Sequence, residues 1–174
     1  AKEILVSLMA NTNNFADALR MYESFPKPTA SMQKVYPRIL YGRAVELVND
    51  QQIKRADDLF TKILALPNSS VTPYANFWKG EIAYRNNEYD NAIRYLSLYL
   101  QANVPSQGEA NRNTANYNLG YSWLQKENYP KALGFFEQVT RTVSVTSAFM
   151  EQDAYVRSAD CYFMNSDFTK ANNM

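Results

Sequence analysis

A short motif recurs five times along this chain at nearly constant spacing. It consists of an aromatic or large apolar residue, two further residues and an alanine, as in Tyr89-Asp90-Asn91-Ala92. Successive motif alanines are separated by 38, 36, 40 and 39 residues, and they are Ala18, Ala56, Ala92, Ala132 and Ala171. Self-similarity at a period of about 20 to 50 residues is typical of stacked-repeat folds.

The residues before each motif alanine predict a helix, a turn and a second helix. A polar stretch precedes each motif and predicts turns near residues 11–14, 49–52, 86–88, 126–128 and 165–167. Twelve residues before four of the alanines lies another small residue, which is Ala44, Gly80, Gly120 or Ala159, and Val6 takes this place in the first repeat. Small residues on both sides of a turn predict two antiparallel helices that cross closely there.

Breaks in the helical pattern separate one helix pair from the next. They fall at residues 26–28, 67–70 and 104–108 and at the β-branched run 142–146. Pro37 and Pro73 are expected near the start of the first helix of their pairs. We therefore predict an all-α chain of about five antiparallel helix pairs with the last pair truncated. It is expected to form a single domain, 1–174, with repeats 1–28, 29–70, 71–105, 106–143 and 144–174.

The pattern resembles the tetratricopeptide repeat family. The best match runs from Leu119-Gly120 and Trp123 on a first helix to Ala132 and Phe136 on a second helix. The resemblance implies an α-solenoid with a right-handed superhelix, in which the first helix of each pair lines a concave groove. Because the periods are longer than the 34 residues of the family motif, the chain is more similar to bacterial envelope and scaffold members. This favours a bacterial protein of the periplasm or the cytoplasm, with the periplasm preferred.

The resemblance also implies which side chains face the groove, and the set is rich in aromatic residues. Such residues give large contact areas at low entropic cost and suit the capture of a peptide or helix. Aromatic residues at helical spacing can equally belong to the core, and exposure decides: burial of all four of Phe77, Tyr84, Tyr117 and Tyr121 would refute the groove hypothesis. The groove candidates are Arg38, Tyr41, Val45, Tyr74, Phe77, Glu81, Tyr84, Tyr117, Tyr121, Leu124, Asp160 and Phe163.

Several classes of function are disfavoured by composition. The net charge is +1, from 18 basic and 17 acidic residues, which gives no extended basic tract for a nucleic-acid backbone. The chain has no histidine and no clustered glycines, so no nucleophile–histidine pair, phosphate loop, metal site or other cofactor site is expected. No run of about 20 apolar residues predicts membrane insertion. The one cysteine, Cys161, is expected to be a buried structural residue.

The sequence thus predicts a non-catalytic scaffold that binds a protein or peptide of unknown identity. A clamp for a C-terminal carboxylate is disfavoured. It would need a cation at one of two groove positions that lie one helical turn apart in a repeat. In three successive repeats these positions hold Tyr41 with Val45, Phe77 with Glu81 and Tyr117 with Tyr121, and none of them is a cation. The alternatives are a structural spacer or oligomerisation module of a larger bacterial envelope protein, in which the chain forms a homo-oligomer, and an accessory domain of a multidomain enzyme. Carbohydrate binding on the tyrosines has no supporting polar cluster.

Overall fold

The structure, a computed structural model, describes residues 2–141 and 148–173. This part of the chain is helical and has no strand, only an isolated antiparallel bridge between Gln107 and Ala110. The all-α prediction is therefore confirmed. The helices are α1 (Lys2–Asn11), α2 (Phe15–Glu23), α3 (Ala30–Asn49), α4 (Ile53–Leu64), α5 (Thr72–Arg85), α6 (Tyr89–Ala102), α7 (Arg112–Gln125), α8 (Tyr129–Arg141), α9 (Ala148–Met164) and α10 (Phe168–Asn172).

All five turns within helix pairs lie where the sequence predicts them, and they share one backbone geometry. In each turn the residue five before the motif alanine is left-handed, with φ between 55° and 62°; these residues are Asn13, Gln51, Asn87, Glu127 and Ser166. The next residue donates its backbone N–H to the carbonyl five positions earlier, as Asn128 does to Trp123 at 2.9 Å. This is the Schellman arrangement, which satisfies carbonyls at the end of the first helix. It reverses the chain in the same way each time.

Small residues allow the helices of a pair to approach closely. A Cβ on Gly120 of α7 would lie 2.6 Å from the Phe136 ring on α8, and a Cβ on Gly80 of α5 would lie 2.6 Å from Leu96 on α6. Both distances are about 1 Å below ordinary carbon–carbon contact. The first four motif alanines are completely buried. The recurrent small residues therefore mark helix crossings, as the sequence predicts.

The prediction that the first helix of the second pair starts near Pro37 is wrong. Helix α3 begins seven residues earlier, where the Thr29 hydroxyl accepts from the Met32 N–H, and Pro37 lies inside the helix. A proline removes the N–H that would bond the carbonyl four residues before it. Here that carbonyl belongs to Gln33, an exposed residue, so water can satisfy it. Pro73 is the second residue of α5, as expected.

The described residues divide into two compact units, 1–78 and 79–174. In the first, Val6, Tyr22, Met32 and Ile39 belong to one buried cluster, and the Tyr22 and Tyr36 rings stack at 4.0 Å. In the second, a buried cluster formed by α8 and α9 is packed against side chains of α7. Its buried members are Ala132, Phe136, Val139, Ala154 and Cys161. The expectation of a single domain stays a prediction.

The β-branched run 142–146 lies outside the described residues, as does the predicted boundary between repeats 106–143 and 144–174. Among the helices within residues 2–141 and 148–173, none combines the length and apolar character needed to cross a bilayer.

Candidate functional site

The groove candidates of the first unit are largely internal. Tyr74 and Phe77 are buried, with exposures of 5% and 0%. Tyr41 is half-buried, accepts a hydrogen bond from Trp78 Nε1 at 3.4 Å and lies 5.8 Å from the Tyr74 ring. Only Arg38 is exposed, and its guanidinium donates to Asn11 Oδ1 at 3.1 Å. Tyr74 and Phe77 were expected to face a partner. They are core residues in this structure, because packing between the helices buries both side chains.

The groove candidates of the second unit are more accessible. Tyr84, Tyr117 and Tyr121 are half-buried, and Phe163 is 59% exposed and lies 5.2 Å from the Phe168 ring. Glu81 is buried with 8% exposure, so its side chain lies beneath the half-buried tyrosines and is not available to a partner. Since three of the four deciding aromatic residues keep solvent contact, the groove hypothesis is not refuted and stays a proposal.

An aspartate of α9 connects the tyrosines of α7. Asp153 Oδ2 accepts a hydrogen bond from the Tyr117 hydroxyl at 2.8 Å and a second one from the Tyr121 hydroxyl. The two rings meet edge to face with their centroids 5.0 Å apart, and both contact the buried Phe136 ring from α8. The tyrosines are therefore held on one side by core packing and on the other by a common carboxylate.

Two further residues of α9 continue this polar surface. The Arg157 guanidinium lies between two carboxylates, with Nε 3.5 Å from Asp153 Oδ1 and an ion pair to Asp160. The Asp160 side chain is 49% exposed, whereas that of Asp153 is 18% exposed. We call Tyr84, Tyr117, Tyr121, Asp153, Arg157 and Asp160 the tyrosine face.

Glu81 fixes α5 against α7 beneath this surface. Its Oε1 accepts from Arg85 Nε at 2.9 Å, and its Oε2 accepts from the Asn118 side-chain amide. Asn118 is 4% exposed, so both partners of the second bond are buried. A buried carboxylate is tolerated only with such partners. The hydrogen bond between Glu81 and Asn118 therefore fixes the position of α5, which carries Tyr84, relative to α7.

The electrostatics of the tyrosine face are set by burial and by the carboxylates. Burial raises the pKa of Tyr84 to about 12, with smaller contributions from Tyr121, Glu81 and Asp153. Burial and the hydrogen bond to Asp153 raise the pKa of Tyr117, and the same two causes raise that of Tyr121. All three tyrosines are therefore neutral hydroxyl groups at physiological pH.

Asp153, Arg157 and Asn118 are not among the site residues predicted from the sequence. A signal existed for Asp153, because it lies six residues before the small residue Ala159, the phase at which Arg38 and Tyr74 lie in their repeats. No comparable signal marks Arg157, whose role depends on the rotation of α9 against α7.

The one cysteine is a core residue of the second unit. Cys161 is fully buried, as predicted, and burial raises its pKa to about 11, so the unreactive thiol form is present at neutral pH. Within the described ranges no three Asp, Glu or Cys side chains come together as metal ligands would.

Comparisons with known proteins give the same fold. Residues 41–108 match the model of the tetratricopeptide repeat family. The chain is similar in structure to MamA residues 41 to the end from Desulfovibrio magneticus RS-1, with a TM-score of 0.64, 19% identity and coverage of 99% of this chain and 90% of that chain. It is also similar to the kinesin light chain TPR-like repeats of Podosopora anserina, with a TM-score of 0.55, 12% identity and coverage of 99% and 89%.

No curated protein matches the sequence significantly. The family match begins in the second predicted repeat, covers the third and ends at residue 108, and the structural matches extend over nearly the whole chain. We conclude that residues 41–108 match the tetratricopeptide repeat model and that the chain has the fold of the solved tetratricopeptide-like repeat structures.

Proposed function

We propose that this chain is a non-catalytic scaffold that holds a protein or peptide partner on the tyrosine face. The observation that carries the proposal is the pair Tyr117 and Tyr121, held by Asp153 and by the Phe136 ring while each keeps part of its surface in solvent. A pre-ordered aromatic surface loses little entropy when it binds. The tetratricopeptide repeat fold supports a role in protein interaction.

Accessible ring surface is the source of affinity in this proposal. Tyrosine is enriched among the residues that dominate binding energy, because it combines a large apolar area with a hydroxyl. Tyr84 is the best residue to test, since it is half-buried, whereas truncation of Tyr121 would also remove its contact with Phe136 in the core.

The test places a photo-crosslinking amino acid at position 84 and, as a control, at position 95. Tyr95 is also a half-buried tyrosine, but it lies on α6 under the Arg94 guanidinium, 4.2 Å from its ring centroid. We expect a light-dependent adduct with a protein of the source cell at position 84 and none of the same mass at position 95. Tyr84→Ala should weaken retention of that protein by about 10-fold or more, and Tyr95→Ala should not.

A second candidate function is a structural spacer or self-association module. It is favoured by the exposed apolar side chains of α1 and α9, such as Ile4 at 74% and Phe149 at 77%. Adducts formed equally at positions 84 and 95, or none at either position, would contradict the tyrosine face as the binding site and favour this candidate.

A further inference from the structure

Two hydroxyl groups of the tyrosine face, those of Tyr117 and Tyr121, are arranged as hydrogen-bond acceptors for a partner. A tyrosine hydroxyl has one hydrogen to donate. The Tyr117 and Tyr121 hydroxyls both donate that hydrogen to Asp153 Oδ2. Their oxygen lone pairs are the capacity left for a partner, so this pair favours a ligand that brings N–H or O–H donors.

Several donors of the neighbouring groups are engaged as well. The Asn118 amide donates to Glu81, and Arg85 donates to the other oxygen of the same carboxylate. The Arg157 guanidinium is paired with Asp153 and Asp160. Arg157 Nε forms no hydrogen bond, but it is buried, and the other donors named here are bonded within the protein, whereas Asp160 is half exposed and keeps lone pairs in solvent.

The charges that α5, α7 and α9 bring to this surface leave an excess of one negative charge. Three carboxylates, Glu81, Asp153 and Asp160, are opposed by two guanidiniums, Arg85 and Arg157. Helix α7 adds no cation here, because its one charged residue, Arg112, donates to the Leu100 carbonyl at the start of the helix. Lys79 of α5 lies near the Tyr95 ring of α6.

We infer that the tyrosine face takes a lysine or arginine side chain of an extended peptide segment, which rests against the Tyr84 and Tyr121 rings next to Asp160. This inference rests on the proposed function and names the chemistry of its partner. Aromatic rings attract cations placed over their faces, the ammonium or guanidinium group supplies the donors that the acceptors lack, and its charge offsets the excess carboxylate.

The first test compares three fluorescein-labelled peptides of the same length and apolar content. They differ only at three spaced positions, which hold lysine, glutamine or glutamate. Fluorescence anisotropy with the full chain should rank their affinities lysine above glutamine above glutamate. The preference for lysine should shrink when the ionic strength is raised to about 1 M, where charges are screened beyond about 3 Å.

A matched pair of variants locates the effect. Asp160→Asn removes the excess carboxylate from a half-exposed position, and it should weaken binding of the lysine peptide by about 2- to 5-fold, as expected for a partly exposed ion pair. Asp58→Asn makes the same change in net charge at an exposed residue of α4 and should leave the affinity unchanged. Circular dichroism should show both variants to be as helical as the parent.

The outcomes separate this inference from the proposed function. Equal affinities, a preference for glutamate, an equal effect of both variants, or no binding of the lysine peptide up to about 1 mM would each overturn the cation inference. The proposed function would survive any of these if crosslinking at position 84 still captured a partner. A preference for lysine that Asp160→Asn reduces and Asp58→Asn preserves would support the inference.

Discussion

The close crossing of α7 and α8 can be tested with two glycine-to-alanine substitutions in the same unit. Gly120 faces the Phe136 ring, and an added Cβ would lie 2.6, 2.7 and 2.9 Å from three of its carbons. Gly134, on α8, is exposed, and nothing lies within 4 Å of the Cβ that alanine would add. Both glycines lie within helices, so the substitutions share the gain in helix propensity and differ in the steric term.

The expected free energies follow from these contacts. Replacing a helical glycine by alanine stabilises the folded state by about 1 kcal/mol. In Gly120→Ala this gain is outweighed, because the buried Phe136 ring would have to shift away from the new Cβ while it packs against the rings of Tyr117 at 6.3 Å and Tyr121 at 5.2 Å. Such overpacking costs about 3 kcal/mol, the upper end of the usual range. We expect Gly120→Ala to lower the free energy of unfolding by about 2 kcal/mol and Gly134→Ala to raise it by about 1 kcal/mol.

Urea unfolding followed by far-ultraviolet circular dichroism measures both values. For an m-value of about 2 kcal/mol/M, the two midpoints should differ by roughly 1.5 M. The difference between the variants is more informative than either value alone, since the propensity term cancels. A Gly120→Ala protein as stable as Gly134→Ala would refute the close crossing and, with it, the explanation of the small residue twelve positions before four of the motif alanines.

Two further predictions concern the turns and the tyrosine face. Gln51→Gly and Glu127→Gly should each raise the free energy of unfolding by about 0.5 to 1 kcal/mol, because both residues are left-handed and glycine adopts that conformation without a steric penalty. The control Ala16→Gly, within helix α2, should lower the free energy of unfolding. A loss of stability in the two turn variants would contradict the assigned geometry. Stability should also fall as the pH rises from about 10 towards 12, because the unfolded chain releases tyrosine protons near pH 10 while Tyr84 keeps its proton up to about pH 12. Urea midpoints measured across this range should fall less steeply for Tyr84→Phe, and an unchanged slope would show that Tyr84 does not contribute.

Much of the fold could be predicted from sequence because its determinants are local. The turns are marked by polar residues in constant phase with the motif alanine, and the left-handed residue falls within each marked stretch. Pro37 misled the prediction because a proline favours helix starts in general. Whether α3 begins before Pro37 depends on the Thr29 cap and on the solvation of the Gln33 carbonyl, and a pattern of apolar residues indicates neither.

The candidate site was harder to predict because it depends on the rotation of neighbouring helices. Phe77 and Tyr117 occupy equivalent positions, three residues before Gly80 and Gly120, yet Phe77 is fully buried and Tyr117 is half-buried. A periodic pattern assigns both the same exposure. The link from Asp153 to Tyr117 and Tyr121 joins residues 36 and 32 positions apart, and it forms only when α9 packs on α7.

The constant geometry of the five turns has a consequence for where the chain can tolerate extra length. Within four of the pairs the two small residues are always twelve positions apart, whereas successive motif alanines are 36 to 40 positions apart. Changes in length have therefore accumulated in the connections between pairs. The connection 103–111 is an example. The Tyr99 hydroxyl donates a hydrogen bond to the Ala110 carbonyl at 2.8 Å and so holds the end of the connection, while Ser106, Gln107 and Gly108 are exposed. An epitope or a fluorescent reporter grafted into that exposed bend would leave the helix pairs on either side in register.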